Sequence, residues 1–326
     1  MGKGISTLLE IPTAALAWLG RQGTRAVAAL VFIGIAVPPI DALLKPFVAE
    51  AIFLLLCIAF VRIEPATLRA HVKRPGLVLA ATAWTMLIVP AVFGTTCLLI
   101  GLDGRSPDLF LALMLQAVAS PMMAAPAFAA LMGLDAMLVL VTLVASTALT
   151  PLTAPLFAHV FIGPALTLSP LGLGLKLAAI LASAALVAAV VRRAAGPAAI
   201  ERHKETIDGL NVLVLFVFVA AVMENVASQI YARPLEMLGL AALAFATVLV
   251  VLALTAAMFA RTGAARALAL GFMASQRNMG LMVAATAGDL PELVWLYFAF
   301  CQFPIYLLPQ LLKPLARRVA RGYAAL

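Results

Sequence analysis

The sequence predicts an all-α integral membrane protein, with ten transmembrane helices in two inverted repeats of five. Three observations lead to this prediction. Hydrophobic residues make up 65% of the 326-residue chain and charged residues only 11%, whereas a soluble domain carries about 25% charged residues. Ten apolar runs are long enough to cross a bilayer. The Lys and Arg residues cluster in the connections at alternate ends of these runs.

The predicted elements follow one another with short connections. Residues 1–25 are expected to form an N-terminal interfacial segment, because an apolar stretch there contains Glu10 and Pro12. Residues 315–326 are expected to form a basic cytoplasmic tail. Between them the ten spans lie at about 26–44, 46–62, 75–101, 107–132, 135–161, 168–191, 207–228, 235–259, 266–288 and 291–313.

The distribution of positive charge orients these spans. With both termini in the cytoplasm, 17 of the 22 Lys and Arg residues fall on the cytoplasmic side, as the positive-inside rule requires. The net charge of +8 is therefore explained by membrane topology, and no nucleic-acid partner is expected. The sequence predicts a multi-pass protein of the cell (inner) membrane, with the lipid bilayer and a small-molecule solute as partners.

The two halves of the chain resemble each other at an offset of 155 residues. The segment "ASPMMAAPAFAALMG" (119–133) aligns with "ASQRNMGLMVAATAG" (274–288), with Ala, Ser and Gly matching at five positions. These segments belong to spans 4 and 9, which are equivalent if 26–162 and 163–314 are two five-helix repeats. Because five is odd, the second repeat is inverted, as is typical of secondary transporters.

Both aligned segments are predicted to interrupt their helices. Pro121 and Pro126 lie within span 4, and each removes a backbone donor. Span 9 has no proline, but its centre is polar and flexible. Two interruptions at matched depth would form a solute site where the broken helices cross. The predicted crossover residues are Ser120, Pro121, Met122, Met123, Pro126, Ser275, Gln276, Arg277, Asn278 and Gly280.

No catalytic, metal or cofactor site is expected. The histidines, His71, His159 and His203, lie in or near predicted loops, and the three cysteines have no metal-binding spacing. The sequence therefore predicts no enzyme and no cofactor.

The chain resembles the bile acid:sodium symporter (BASS) family, and in particular a bacterial homologue. Residues 113–155 are similar to the family's span 4 and 5 signature, and "RALALGFMASQRNMGL" (266–281) is similar to its span 9. The resemblance covers about 26–314. It implies a core domain of spans 3–5 and 8–10, beside a panel domain of spans 1, 2, 6 and 7.

The sequence departs from the family at the positions that the resemblance assigns to sodium binding. The family's Ser-Asn pair falls on Pro126 and Ala127, its span-3 glutamine on Thr85, and its span-9 glutamate on Met273 or, in a second register, on Gly271. Thr85 has a hydroxyl. The others lack a side-chain oxygen with which to bind a cation; they are Pro126, Ala127, Met273 and Gly271. The family's span-9 glutamine falls on Arg277.

We therefore expect a transporter of a small organic anion or amphipathic solute that works by alternating access without sodium. In this hypothesis Arg277 replaces the sodium ions as a fixed charge at the crossover. Two other roles for Arg277 stay open: it anchors an anionic solute, or it lies off the crossover and reaches the cytoplasmic interface. The alternatives for the protein are a non-transporting solute sensor of the same fold, or a sodium- or proton-coupled symporter.

Overall fold

The structure is a computed structural model that describes residues 3–22, 43–63, 75–162, 169–223, 226–286 and 290–324. These residues are almost entirely helical and include no β-strand. The all-α class is therefore confirmed. Predicted span 1 lies almost wholly outside the described residues.

The principal helices in chain order are α1 (Lys3–Gln22), α2 (Val48–Arg62), α3 (Pro75–Leu99), α4 (Pro107–Val118), α5 (Ala125–Met132), α6 (Ala136–Phe157), α7 (Pro170–Ala195), α8 (Lys204–Val222), α9 (Val226–Ala232), α10 (Pro234–Met258), α11 (Ala264–Ser275), α12 (Met279–Ala285) and α13 (Glu292–Ala324). A π-helical turn, Trp84–Ile88, lies inside α3, and a second, Ala158–Ile162, continues α6. Short helical turns at Lys45–Phe47, Leu102–Arg105, Pro197–Arg202 and Ala260–Thr262 lie in the connections.

Six helical stretches of the described residues are long and apolar enough to cross a membrane. They are Pro75–Leu99, Ala136–Ile162, Pro170–Ala195, Lys204–Ala232, Pro234–Met258 and Glu292–Val319. They correspond to predicted spans 3, 5, 6, 7, 8 and 10. Predicted spans 4 and 9 are each divided into two shorter helices, α4 with α5 and α11 with α12. The helices support the prediction of a transmembrane protein.

The chain forms two compact units, and each unit combines segments from both halves of the sequence. Unit 1 contains 1–63 and 182–232, and unit 2 contains 64–181 and 233–326. Predicted spans 3–5 and 8–10 thus fall in unit 2. The boundary at 181/182 divides α7, so predicted span 6 contributes to both units.

In unit 1, α1 packs along α8. Gly20 lies against the backbone of Glu205 and Gly209, and Gly209 lies against the backbone of Leu16. Neither glycine has room for a Cβ, so the two helices approach each other through their backbones. An ion pair between Arg21 and Glu205, 2.8 Å apart, lies at the same end of α8. Residues Lys3–Gln22 are thus helical, and the interfacial position expected for 1–25 stays a prediction.

In unit 2, the broken helices of spans 4 and 9 lie among unbroken ones. Both α6 and α13 contact α4, α5 and α11, and α10 packs along α11. Every residue of α4 from Phe110 onwards and of α11 from Ala267 onwards is buried. Helices that are buried on all faces carry apolar residues all round, which explains why neither segment shows a polar stripe.

Candidate functional site

Span 4 is interrupted between α4 and α5. Helix α4 ends where Ala119 adopts an extended conformation, and α5 begins at Ala125. Pro121 lies inside the interruption. Pro126 does not: it occupies the first turn of α5, where a missing N–H costs nothing. The interruption expected around Pro121 and Pro126 therefore begins at Ala119 and ends before Pro126.

Span 9 is interrupted without a proline. Helix α11 ends at Ser275, and Gln276 is extended, with φ −90° and ψ 100°. Asn278 then caps α12, because its side-chain oxygen accepts a hydrogen bond from the N–H of Leu281 at 3.3 Å. The Ser275 hydroxyl donates to the carbonyl of Phe272 within α11. Gly280 lies buried in the first turn of α12.

The two interruptions cross and pair with each other as a single antiparallel bridge between Pro121 and Arg277. The N–H of Met122 donates to the carbonyl of Gln276 at 2.7 Å, and the N–H of Asn278 donates to the carbonyl of Ser120 at 2.8 Å. In such a pair the two central residues donate no ladder hydrogen bond, so Pro121 fits without loss. The predicted crossing of the broken helices is confirmed.

Arg277 is buried at this crossing, with a relative exposure of 4%. Its Nη1 donates to the carbonyl of Ala119 at 3.0 Å, and its Nη2 donates to the carbonyl of Thr85 at 3.1 Å. Ala119 is the C-cap of α4, and α11 also ends at the crossing. Each helix C-terminus carries about half a negative charge. The single positive charge of the guanidinium therefore equals the sum of the partial charges at the two helix ends. The expectation that Arg277 reaches the cytoplasmic interface is wrong.

The carbonyl of Thr85 is available to Arg277 because of the π-turn in α3. The N–H of Val89, which an α-helix would direct to Thr85, bonds instead to the carbonyl of Trp84. The donor one residue further along would be Pro90, which has no N–H. The sequence comparison singled out Thr85 for its side chain, but its main-chain oxygen makes the contact. Pro90 was the signal that this carbonyl would be free.

Arg277 has no acidic partner among the described residues. Its two hydrogen-bond acceptors are neutral carbonyls, and its Nε has no partner. The ion pairs of the described residues join other side chains, such as Arg266 with Asp135. A charge at membrane depth is costly when it is unpaired. The guanidinium is therefore compensated by main-chain carbonyls, one at the end of α4 and one in the π-turn of α3.

Two polar side chains of the crossing have no partner within the described structure. Ser120 and Gln276 are both fully buried, and the Ser120 hydroxyl and both amide atoms of Gln276 lack hydrogen bonds. Side chains alternate across a paired segment, so Ser120 and Gln276 lie on the face opposite to Pro121 and Arg277. Buried polar atoms of this kind are rare in structural positions.

The other predicted residues differ in position. Met122 and Met123 are half-buried beside the bridge. Met273 is fully buried within α11. Ala127, which the resemblance places at a degenerate ion-site position, is exposed on α5.

The sequence analysis missed a second buried polar cluster in unit 2. The Tyr297 hydroxyl donates to Oε1 of Gln116 at 2.6 Å and lies 3.4 Å from the Thr247 hydroxyl. These three residues join α4, α10 and α13. Gln116, a lone amide in the apolar α4, was the available signal.

The described residues contain no group of three or more His, Cys, Asp or Glu side chains able to hold a metal ion. Comparisons with known proteins add no further constraint on the site. No protein-family model matches the chain, and no curated protein matches it either.

Proposed function

We propose that the chain is a secondary membrane transporter that carries a small organic anion or amphipathic solute by alternating access and is not coupled to sodium. The observation that carries this proposal is the position of Arg277. A permanent positive charge lies where two broken helices cross, and it bonds to the end of one of them. Crossings of broken helices bind solutes and ions in secondary transporters.

The fixed charge is the argument against sodium. A dehydrated sodium ion needs several oxygen ligands, and two carbonyls that face the crossing, those of Ala119 and Thr85, already accept hydrogen bonds from Arg277. Two like charges a few ångströms apart repel by about 4 kcal/mol even at the effective dielectric of a protein surface. A guanidinium cannot leave, so the charge remains through every transport cycle.

The opposite face of the bridge supports a role in solute binding. Ser120 and Gln276 offer hydrogen-bond donors and acceptors that the protein leaves unused. Met122 and Met123 lie beside them, and methionine side chains adapt to bulky apolar surfaces. This combination suits an amphipathic solute with a polar end.

The finer architecture belongs to the same proposal. We place ten spans in two inverted repeats in the inner membrane, with both termini cytoplasmic, on the charge distribution described above. Unit 2 corresponds to the core domain and unit 1 to the panel domain of a bile acid:sodium symporter-like protein. The division of the chain into these units supports this assignment.

The fixed-charge role of Arg277 is favoured over the role of solute anchor. Both terminal nitrogens bond to backbone carbonyls, so they hold the guanidinium to the protein rather than gripping a carboxylate as a fork, and only Nε has no partner. Solute binding without transport, as in a sensor, stays an alternative, as does a sodium- or proton-coupled symporter. The following experiment separates them.

The test is uptake by proteoliposomes of labelled taurocholate, benzoate and acetate, in sodium and in choline buffers. We expect equal uptake in both buffers, and a reduction of at least about tenfold in Arg277→Gln. Arg105→Gln, which removes an exposed Arg of unit 2, is the matched control and should transport normally. Saturable uptake that rises steeply with sodium would refute the proposal. Binding of a probe without uptake would identify a sensor.

A further inference from the structure

Buried polar side-chain atoms without a partner are concentrated in one part of the molecule. Within the described residues they number eight, and all belong to unit 2. They are the hydroxyls of Thr82, Thr85, Ser120, Ser146 and Thr147, both amide atoms of Gln276, and Nε of Arg277. Since most buried polar groups are satisfied, such a concentration indicates a site for a ligand.

The hydroxyls of α3 and α6 lie on two helices that contact each other, and α3 also contacts Arg277. Thr82 and Thr85 are three residues apart, so they share one face of α3, and Thr85 is the residue whose carbonyl Arg277 contacts. Helix α6, which carries Ser146 and Thr147, contacts both the first part of α3 and its π-turn, and also α4 and α11. All four residues are at most 3% exposed.

Other hydroxyls of α6 behave differently. Thr142, Thr150 and Thr153 each donate to a carbonyl one turn earlier in the helix, as threonine commonly does in apolar helices. Ser146 and Thr147 make no such bond. Their hydroxyl protons are therefore available to a ligand.

The available groups suit a negative ligand. A hydroxyl donates one hydrogen bond, Nε of Arg277 donates another, and the guanidinium supplies a full positive charge. No carboxylate in the part of the chain that the structure describes contacts Arg277. A cation at this place would meet like charge, whereas an anion would gain both charge and hydrogen bonds.

We propose that the hydroxyl-lined side of Arg277, formed by Thr82, Thr85, Ser146, Thr147 and Nε of Arg277, is a binding site for a small monovalent anion. One fixed charge matches one negative charge. The shared chemistry is that of a halide or a carboxylate: a free inorganic counter-ion and the charged group of a solute would both satisfy it. The proposal rests on the placement of Arg277 used for the proposed function, but it does not require transport.

The test is the melting temperature of the protein in detergent, with sodium gluconate as the reference salt, because its carboxylate is attached to a six-carbon chain too bulky for a small-anion site. Gluconate is replaced by sodium bromide or sodium acetate at constant ionic strength. An anion that binds only the folded state raises the melting temperature. We expect a rise of about 2–5 °C for the wild type, on the usual relation between binding free energy and melting temperature. A rise in bromide alone would identify a site for an inorganic counter-ion, and a rise in acetate alone would identify a carboxylate site. A rise in both salts would show that the site accepts either kind of monovalent anion.

Three variants and one control localise the effect. Thr85→Val and Thr147→Val each remove an unpartnered hydroxyl and nearly preserve the side-chain shape, and both should reduce the rise. Thr153→Val removes a hydroxyl of α6 that is already bonded to Leu149, and it should keep the rise. Arg277→Gln should abolish the rise, and the threonine variants keep the test decisive if that protein does not fold.

The proposal is overturned if neither anion raises the melting temperature, or if the rise persists in Thr85→Val, Thr147→Val and Arg277→Gln alike. Its failure is separate from that of the proposed function. Sodium-independent uptake with no effect of either anion on the melting temperature would support the proposed transport function and refute the anion site. An anion effect on the melting temperature that depends on these residues, without uptake of any probe, would support the anion site and refute the proposed transport function.

Discussion

The two buried polar clusters of unit 2 differ in how completely their hydrogen bonds are satisfied. Around Tyr297, the hydroxyl is paired with Gln116 and lies near Thr247. Around Arg277, several buried hydroxyls, the amide of Gln276 and Nε of Arg277 have no hydrogen-bond partner, and no carboxylate of the described residues pairs with the charge. Buried groups that satisfy one another stabilise the fold, whereas buried groups left with unused capacity require another reason for their presence. The first cluster is thus structural, and the second is the one for which we propose a function.

The largest expected loss of stability comes from opening the satisfied cluster. Tyr297→Phe should lower the free energy of unfolding by about 1–2 kcal/mol, because Oε1 of Gln116 is then buried without a donor. Equilibrium unfolding in mixed micelles measures this change. Tyr306→Phe, at another buried tyrosine of α13, is the control and should cost less.

The double variant sharpens the result. If the Tyr297–Gln116 bond is the cause, adding Gln116→Leu to Tyr297→Phe should recover part of the lost stability, since no polar atom remains unpaired. A double variant as unstable as the sum of the two single ones would contradict the assignment of this cluster as a matched pair.

A smaller loss is expected at the start of α12, within the crossing itself. Asn278→Ala removes the cap on the N–H of Leu281 and should cost about 1 kcal/mol in unfolding free energy. Asn278→Asp keeps an oxygen acceptor in place and should cost less in the same measurement. Equal losses in both variants would show that the cap does not hold this end of the broken helix.

The smallest effect is expected from the unpartnered hydroxyls. In gluconate, Thr147→Val should change the unfolding free energy by about 0.5 kcal/mol or less, because no hydrogen bond of the protein is lost. Thr153→Val, which removes a bonded hydroxyl of the same helix, should cost more. The reverse order would contradict the distinction between the bonded hydroxyl of Thr153 and the unpartnered hydroxyl of Thr147.

Much of the crossing was predictable from local signals. Proline within an apolar run can interrupt a helix, and this identified span 4 through Pro121, although Pro151 and Pro155 lie inside the continuous helix α6. The polar sequence from Ser275 to Gly280 identified span 9. The exact ends of the helices were less accessible, because Pro126 is compatible with both an interruption and the first turn of a helix.

The amino-acid sequence by itself determined the all-α class, the membrane environment and the two places where helices break, because composition, run length and backbone chemistry act locally. Only the tertiary structure decided which groups meet. Thr85 and Arg277 are 192 residues apart along the chain, and their contact depends on a π-turn that frees a carbonyl. The pairing of Tyr297 with Gln116 likewise follows from the packing of α13 on α4. Such contacts depend on how distant helices pack, which no local pattern records.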